Sequence, residues 1–177
     1  ERVVQLCRPD LCNDFAPLRL RETVVAQHLP PQLTSFVGRT AEIAEVRAVL
    51  ADNRLVTLTG AGGVGKTRLA LQVATLAVAD FGDGTWWADL APVTDPDLVA
   101  ATVARALGLP DQTGRSPQHS LLQHIGNRNV LVVLDNCEHL LDSTATLLTS
   151  LAGGCPRLRV LCTSREPIGL TGEVTWR

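Results

Sequence analysis

Gly60-Ala61-Gly62-Gly63-Val64-Gly65-Lys66-Thr67 fits the pattern G-x-x-x-x-G-K-[ST]. It stands between a β-branched run at 54–59 and an alanine-rich stretch at 66–80 that carries Leu69, Leu71, Val73, Leu76 and Val78. The first run reads as a buried strand and the second as a helix packed closely on a sheet. The glycines let the loop turn back, so that successive backbone N–H groups point inward as an anion nest. The positive end of the following helix adds to the same field. In this setting Lys66 reaches the β- and γ-phosphates of a nucleoside triphosphate, and the Thr67 hydroxyl binds Mg²⁺. Composition points to the same place. Of the 16 Lys and Arg residues, Lys66 is the only lysine, and the two side chains are not interchangeable where a compact point charge is wanted. The alternative is a glycine-rich turn that matches by accident, and the strand and helix on either side argue against it.

Outward from the loop, strand and helix signals alternate. Residues 41–51 carry Ile43, Val46, Val49 and Leu50 at helical spacing. A strand is expected over 85–90, with Trp86-Trp87 placing one indole in the core and the other outward. Asp95 as cap, Pro96 in the first turn and Gly108 past the end bracket a helix through Leu98, Val99, Val103 and Leu107. Ser116 and Pro117 start a shorter helix ending near Gly126. The run Val130-Leu131-Val132-Val133-Leu134 has the signature of a strand buried on both faces. A helix over 137–152, a strand over 158–163 and a partial strand over 173–177 follow. The alternation predicts an α/β fold with a parallel sheet and helices on both faces; with the phosphate loop in it, the expected architecture resembles a three-layer P-loop NTPase core (ASCE type) of about five strands. Residues 1–31, with Pro9, Pro17, Pro30 and Pro31, read as an appendage or linker, and 32–177 as the core domain.

Two further positions fall at strand ends. The 130–134 run delivers Asp135 to the carboxyl edge of the sheet, where ligands bind in open parallel sheets. Taken alone, an Asp after an apolar run is more often a helix cap. Beside a phosphate loop it becomes a candidate Mg²⁺ holder together with Thr67. The 158–163 strand ends in Ser164-Arg165. A guanidinium there can grip two phosphate oxygens or stand as a surface arginine, and spacing does not choose between them.

Composition narrows the class. The net charge of −2, with 45% hydrophobic and 19% charged residues, gives no basic surface for nucleic acid. No apolar run approaches the roughly 18 residues that span a bilayer, so no membrane partner is expected. Five cysteines are an odd count, and three lie in apolar or small-residue stretches, which favours a reduced, cytoplasmic protein. His28, His119, His124 and His139 show no ligand spacing with cysteine. The chain opens at Glu1 without Met and stops at Arg177 inside a strand-like run, and reads as a piece of a larger protein.

Phe36-Val37-Gly38-Arg39 before a helix, the phosphate loop about two dozen residues on, Leu134-Asp135-Asn136-Cys137-Glu138, and Thr163-Ser164-Arg165-Glu166-Pro167 together resemble the STAND (AP-ATPase-like) NTPases. More narrowly, they are similar to the nucleotide-binding domain of large actinobacterial LuxR-type transcriptional regulators. The resemblance covers roughly 32–177. It implies ATP or ADP with Mg²⁺ as cofactors and a nucleotide-binding set of Val37, Arg39, Gly60, Ala61, Gly62, Gly63, Val64, Gly65, Lys66, Thr67 and Arg68. Val37 and Arg39 lie against adenine and ribose in that family, and Arg165 becomes its phosphate sensor. It also implies that the strand over 158–163 separates the Asp135 strand from the phosphate-loop strand. The first 25 or so residues, through Val3-Val4-Gln5-Leu6 and Asp14-Phe15-Ala16-Pro17-Leu18-Arg19, are similar to the trailing segment of a class III adenylyl cyclase domain.

One departure stands out. Many P-loop ATPases carry Glu directly after the Mg²⁺-binding Asp, where it polarises the attacking water. Here that residue is Asn136, and an amide cannot take a proton. Glu138 is the nearest carboxylate and joins Lys66, Asp135 and Arg165 as a catalytic candidate, with a first-turn charge favoured by the helix dipole as the alternative. The expected function is an ATP–Mg²⁺ switch with slow hydrolysis inside a multidomain signalling or transcription regulator. A non-hydrolysing nucleotide holder and a small-molecule phosphotransferase are the competing readings. Expected partners are the nucleotide, the other domains of the parent chain and, in a nucleotide-dependent way, a second copy.

Overall fold

The computed structural model describes residues 27–31, 38–111 and 114–177. Among the described residues six parallel strands form one sheet in the order β1-β3-β4-β5-β2-β6. They are β1 (Gln27–His28), β2 (Leu55–Thr59), β3 (Gly84–Asp89), β4 (Val130–Asp135), β5 (Arg159–Ser164) and β6 (Glu173–Trp176). Helices α1 (Thr40–Asp52), α2 (Lys66–Ala77), α3 (Val99–Ala106), α4 (Pro117–Ile125) and α5 (Leu141–Gly154) cover the two faces. β5 lies between β2 and β4, as the resemblance implied, so the phosphate-loop strand and the Asp135 strand are next-nearest neighbours.

The period of two along β4 divides its side chains between two cores. Val130, Val132 and Leu134 join Leu121, Ile125, Leu147 and Leu151 of α4 and α5 on one face. Leu131 and Val133 join Val46, Leu50, Leu69 and Val73 of α1 and α2 on the other. All six residues of β4 are buried, and each large apolar side chain so placed contributes about 1.5–3 kcal/mol. This double packing buries on both faces the strand that ends in Asp135.

The expected parallel sheet of about five strands is present, and the described residues add a short sixth at its edge, where Gln27–His28 pairs with Thr85–Trp86 of β3. A two-residue strand ahead of Pro30-Pro31 has no period to read. Trp86 is buried, as expected, stacked at 6.3 Å on His28. A Cβ on Gly84 would come within 2.3 Å of its ring, so glycine is required at that close approach. Trp87 does not face outward; it is half-buried against the second core, since the sheet is covered on both sides. The helix expected over 137–152 is divided into a 3-10 turn Cys137–His139 and α5, broken at Leu140, whose side chain drops into the first core. Likewise the helix begun at Asp95 opens with a 3-10 turn, Pro96–Leu98, under an Asp95 carboxylate that accepts from Asp97 N at 3.0 Å. The adenylyl cyclase likeness over residues 1–25, and Phe36 and Val37, lie outside the described residues.

Candidate phosphate site at the carboxyl edge of the sheet

β2 ends at Thr59 and α2 begins at Lys66, so the glycine loop is a strand-to-helix turn at the carboxyl edge. Gly65 caps α2 at φ 91°, with no side-chain cap. The first N–H groups of the helix therefore face the loop without an internal partner. A β-carbon at Gly65 would be strained by that φ, and would also stand 3.6 Å from Arg39 Nη1. Lys66 Nζ donates to Gly60 O at 2.7 Å and Ala61 O at 2.9 Å, which folds the ammonium back over the loop. Arg68 follows on α2 and is exposed.

Arg39 clamps the loop from its other side. Its Nη2 donates to Val64 O at 2.9 Å, while its own backbone sits at φ 56°, ψ 29° as the cap of α1. A non-glycine residue in the left-handed region is uncommon. Among the described residues Asn136, at φ 62°, is the other, and it too lies at this edge.

Across β5, Asp135 is only 3% exposed. Thr67 Oγ1 donates to its Oδ1 at 2.9 Å, and Thr163 Oγ1 donates to the same oxygen. Asn136 Nδ2 donates to its Oδ2 at 3.1 Å. Burial lifts the Asp135 carboxyl above the ordinary carboxylate range. The hydroxyls of Thr163 and Thr67 pull it back, and the neighbouring charge of Asp89 adds to the rise. These donors are uncharged, so the buried charge has no cation among them.

Arg165 and Glu138, both singled out in the sequence, meet each other: Arg165 Nε lies 3.2 Å from Glu138 Oε1. The Arg165 side chain is 66% exposed and reaches toward the loop, since a Cβ on Gly62 would stand 3.8 Å from its Nη2. Two openings lie at this edge of the sheet. One, of about 490 Å³, is lined by Arg39, Glu42, Val64, Lys66, Leu69 and Trp176 among others. The second, also about 490 Å³, is lined by Ala91, Asn136, Glu138, His139, Arg165 and Glu166.

A family model described as an AAA domain matches residues 49–163. The chain belongs to the AAA domain family. This AAA domain is 61% identical over 132 residues to a Mycobacterium tuberculosis protein that carries the name of an HTH-type transcriptional regulator, covering 75% of this chain and 15% of that protein. A further, uncharacterised M. tuberculosis protein is 51% identical over 166 residues, covering 93% of this chain and 42% of its own length. The chain thus spans 15% and 42% of the lengths of these two curated relatives. Among solved structures, a Signal Transduction ATPase with Numerous Domains (STAND) protein with a tetratricopeptide repeat sensor from Pyrococcus horikoshii superposes with a TM-score of 0.54. It is 19% identical, over 86% of this chain and 24% of that one. At that identity the likeness is one of fold.

Within this AAA domain the edge brings together the loop, Lys66, Thr67, Asp135 and Arg165, with Arg39 behind the loop. Three participants escaped the sequence reading. Thr163 shares the Asp135 oxygen, Trp176 donates from Nε1 to Glu45 Oε2 at 3.3 Å beside the first opening, and Asp89 accepts from Asn136 Nδ2 at 3.4 Å. Asp89 had the same signal as Asp135, a carboxylate closing a strand.

Proposed function

We propose that this AAA domain binds ATP with Mg²⁺ at 60–68 and hydrolyses it slowly, as the nucleotide switch of a multidomain transcription regulator. The observation that carries the reading is the 2.9 Å contact between Thr67 at the head of α2 and the buried Asp135 carboxylate two strands away, beside a loop holding the only lysine. A hydroxyl and a carboxylate are hard oxygen donors, and a buried carboxylate among neutral donors gains from a divalent cation, so Thr67 and Asp135 fit Mg²⁺. When bound, the ion neutralises charge on the β- and γ-phosphates.

The chain's own residues do the rest. The loop N–H groups and the α2 end receive phosphate oxygens. Lys66 exchanges the Gly60 and Ala61 carbonyls for β- and γ-phosphate oxygens. Arg39 keeps the loop in shape through Val64, and Arg165, held by Glu138 through Nε, offers its Nη groups to the γ-phosphate. Each charged hydrogen bond is worth about 1.5–3 kcal/mol. One bond made with ATP and absent with ADP shifts a two-state equilibrium by about one to two decades. The family resemblance extends the proposal to a LuxR-type parent in the cytoplasm, with 1–31 as the tail of an adenylyl cyclase domain and 32–177 as the NTPase core. It also extends to contacts with the parent's other domains and to nucleotide-dependent self-association.

A second reading, a module that holds nucleotide without turnover, is favoured by Asn136 after Asp135 and by the pairing of Glu138 with Arg165. Calorimetric titration with Mg–ATP and Mg–ADP, alongside phosphate release, separates the two. Binding with release supports the switch, and binding without release supports the holder.

A further inference from the structure

β3 and β4 run parallel and end together, with Asp89 and Asp135 as register partners at their last positions. Neighbouring strands stand about 4.8 Å apart, so the two carboxylates leave the sheet side by side. Their surroundings differ. Asp135 is buried beneath Thr67, Thr163 and Asn136, which commits it to the loop side. Asp89 is exposed. Its Oδ1 accepts from Ala91 N at 2.9 Å and from Asn136 Nδ2 at 3.4 Å.

Asn136 joins the pair. Its amide nitrogen lies between Asp135 Oδ2 and Asp89 Oδ1, and its backbone N–H donates to Thr163 Oγ1 at 3.0 Å. The left-handed turn at φ 62°, ψ 53° is what lets one residue serve all three; asparagine tolerates that conformation better than most side chains. The residue that has no acid function of its own is therefore held so that it grips the carboxylate of the next strand. Glu138, the nearer carboxylate in sequence, is taken up by Arg165.

We infer that Asp89 is the general base of the nucleotide site, with Asn136 as its positioning residue. The inference rests on the ATP-hydrolysing reading above and supplies the group which that reading lacks. The oxygen of a water molecule attacks the γ-phosphorus and the bond from γ-phosphorus to the β,γ-bridging oxygen breaks. The proton lost by the water passes to the Asp89 carboxylate and then to solvent, and the products are ADP and inorganic phosphate. Asp89 thus does from β3 what a glutamate following Asp135 would do from β4.

The test uses the 177-residue chain with Asp89→Asn, which is isosteric and keeps an acceptor for Ala91 N. General-base removal predicts a fall in phosphate release of at least about a hundredfold. Mg–ATP and Mg–ADP affinities should stay within about threefold, and binding of Mg–ADP–aluminium fluoride, which mimics the reacting state, should weaken by at least about tenfold. The double variant Asp89→Asn/Asn136→Asp moves the carboxylate one strand over at constant charge and should recover at least about a tenth of the lost rate. Glu166→Gln should leave the rate within about threefold.

Wild-type phosphate release from folded Asp89→Asn overturns the inference, as does a loss in Glu166→Gln equal to that in Asp89→Asn. Weakened Mg–ADP binding in Asp89→Asn overturns it too, because Asp89 would then be holding the metal. If the unaltered chain binds Mg–ATP and releases no phosphate, the hydrolytic reading fails and the base with it. If Lys66→Ala leaves ATP binding untouched, the site itself is wrong. Turnover that is lost in Lys66→Ala and kept in Asp89→Asn refutes the base alone.

Discussion

Asp135→Asn should make the nucleotide-free domain more stable while removing its response to Mg–ATP. Three donors reach the Asp135 carboxylate, and hydrogen bonds to a charged group are worth about 1.5–3 kcal/mol each. Even so, the carboxyl is lifted rather than lowered, so burial together with the neighbouring Asp89 charge outweighs the hydrogen bonds. Asparagine keeps one oxygen for the Thr67 and Thr163 hydroxyls and sheds the buried charge, while the Asn136 Nδ2 bond, whose acceptor becomes a donor, is lost. Removing such a charge at a functional site gains about 1–2 kcal/mol. For a domain of this size that raises Tm by about 2–8 °C. Mg–ATP at a hundred times its Kd should stabilise the unaltered chain by about 2.7 kcal/mol, or about 5–11 °C, and should do nothing for the variant. Differential scanning calorimetry of both proteins, with and without Mg–ATP, reads the crossing directly. A variant that melts below the unaltered chain without nucleotide, or that gains as much from Mg–ATP, would show that the Asp135 charge neither burdens the fold nor serves the metal.

Because the Asp135 carboxyl is raised in the fold, the folded state binds its proton more readily than the unfolded chain does. Nucleotide-free stability should therefore rise as pH falls from neutral through the raised carboxyl value, before general acid unfolding sets in, and Asp135→Asn should flatten that rise in pH-dependent melting. Arg39→Ala deletes the bond to Val64 O and should weaken Mg–ATP affinity by about tenfold in calorimetry, with the fold retained. Arg54 Nη2 donates to the α5-end carbonyls of Ala152 and Cys155 at 3.0 and 2.8 Å, so Arg54→Ala should lower stability by about 1–2 kcal/mol in urea titration. Leu131→Ala, in a fully buried position, should cost about 2–5 kcal/mol in the same assay.

How far the molecule can be read from its sequence depends on whether a feature is local. The phosphate loop is legible because Gly65, Lys66 and Thr67 act through a backbone turn that their own neighbours determine. The 130–134 run is legible because a strand buried on both faces has no polar alternation. Asp135 needed only the end of that run. Asp89 needed the strand order as well, since it acts only once β3 is known to lie against β4 in register. The meeting of Arg165 with Glu138 across 27 positions, and of Thr163 with Asp135 across 28, is likewise a product of the sheet. The break at Leu140 was hidden because an apolar residue that dives into the core interrupts the helix without glycine or proline. β1 was hidden because two residues carry no period.

The central claim is that 60–68 is a nucleotide-phosphate site whose charge comes from Lys66. Isothermal titration of Mg–ATP into the unaltered chain and into Lys66→Ala tests it most directly, with circular dichroism to show that both are folded. The account predicts one-site binding by the unaltered chain and a loss of at least about a hundredfold in the variant, the worth of one to two charged hydrogen bonds. Equal affinity in a folded Lys66→Ala protein would contradict it.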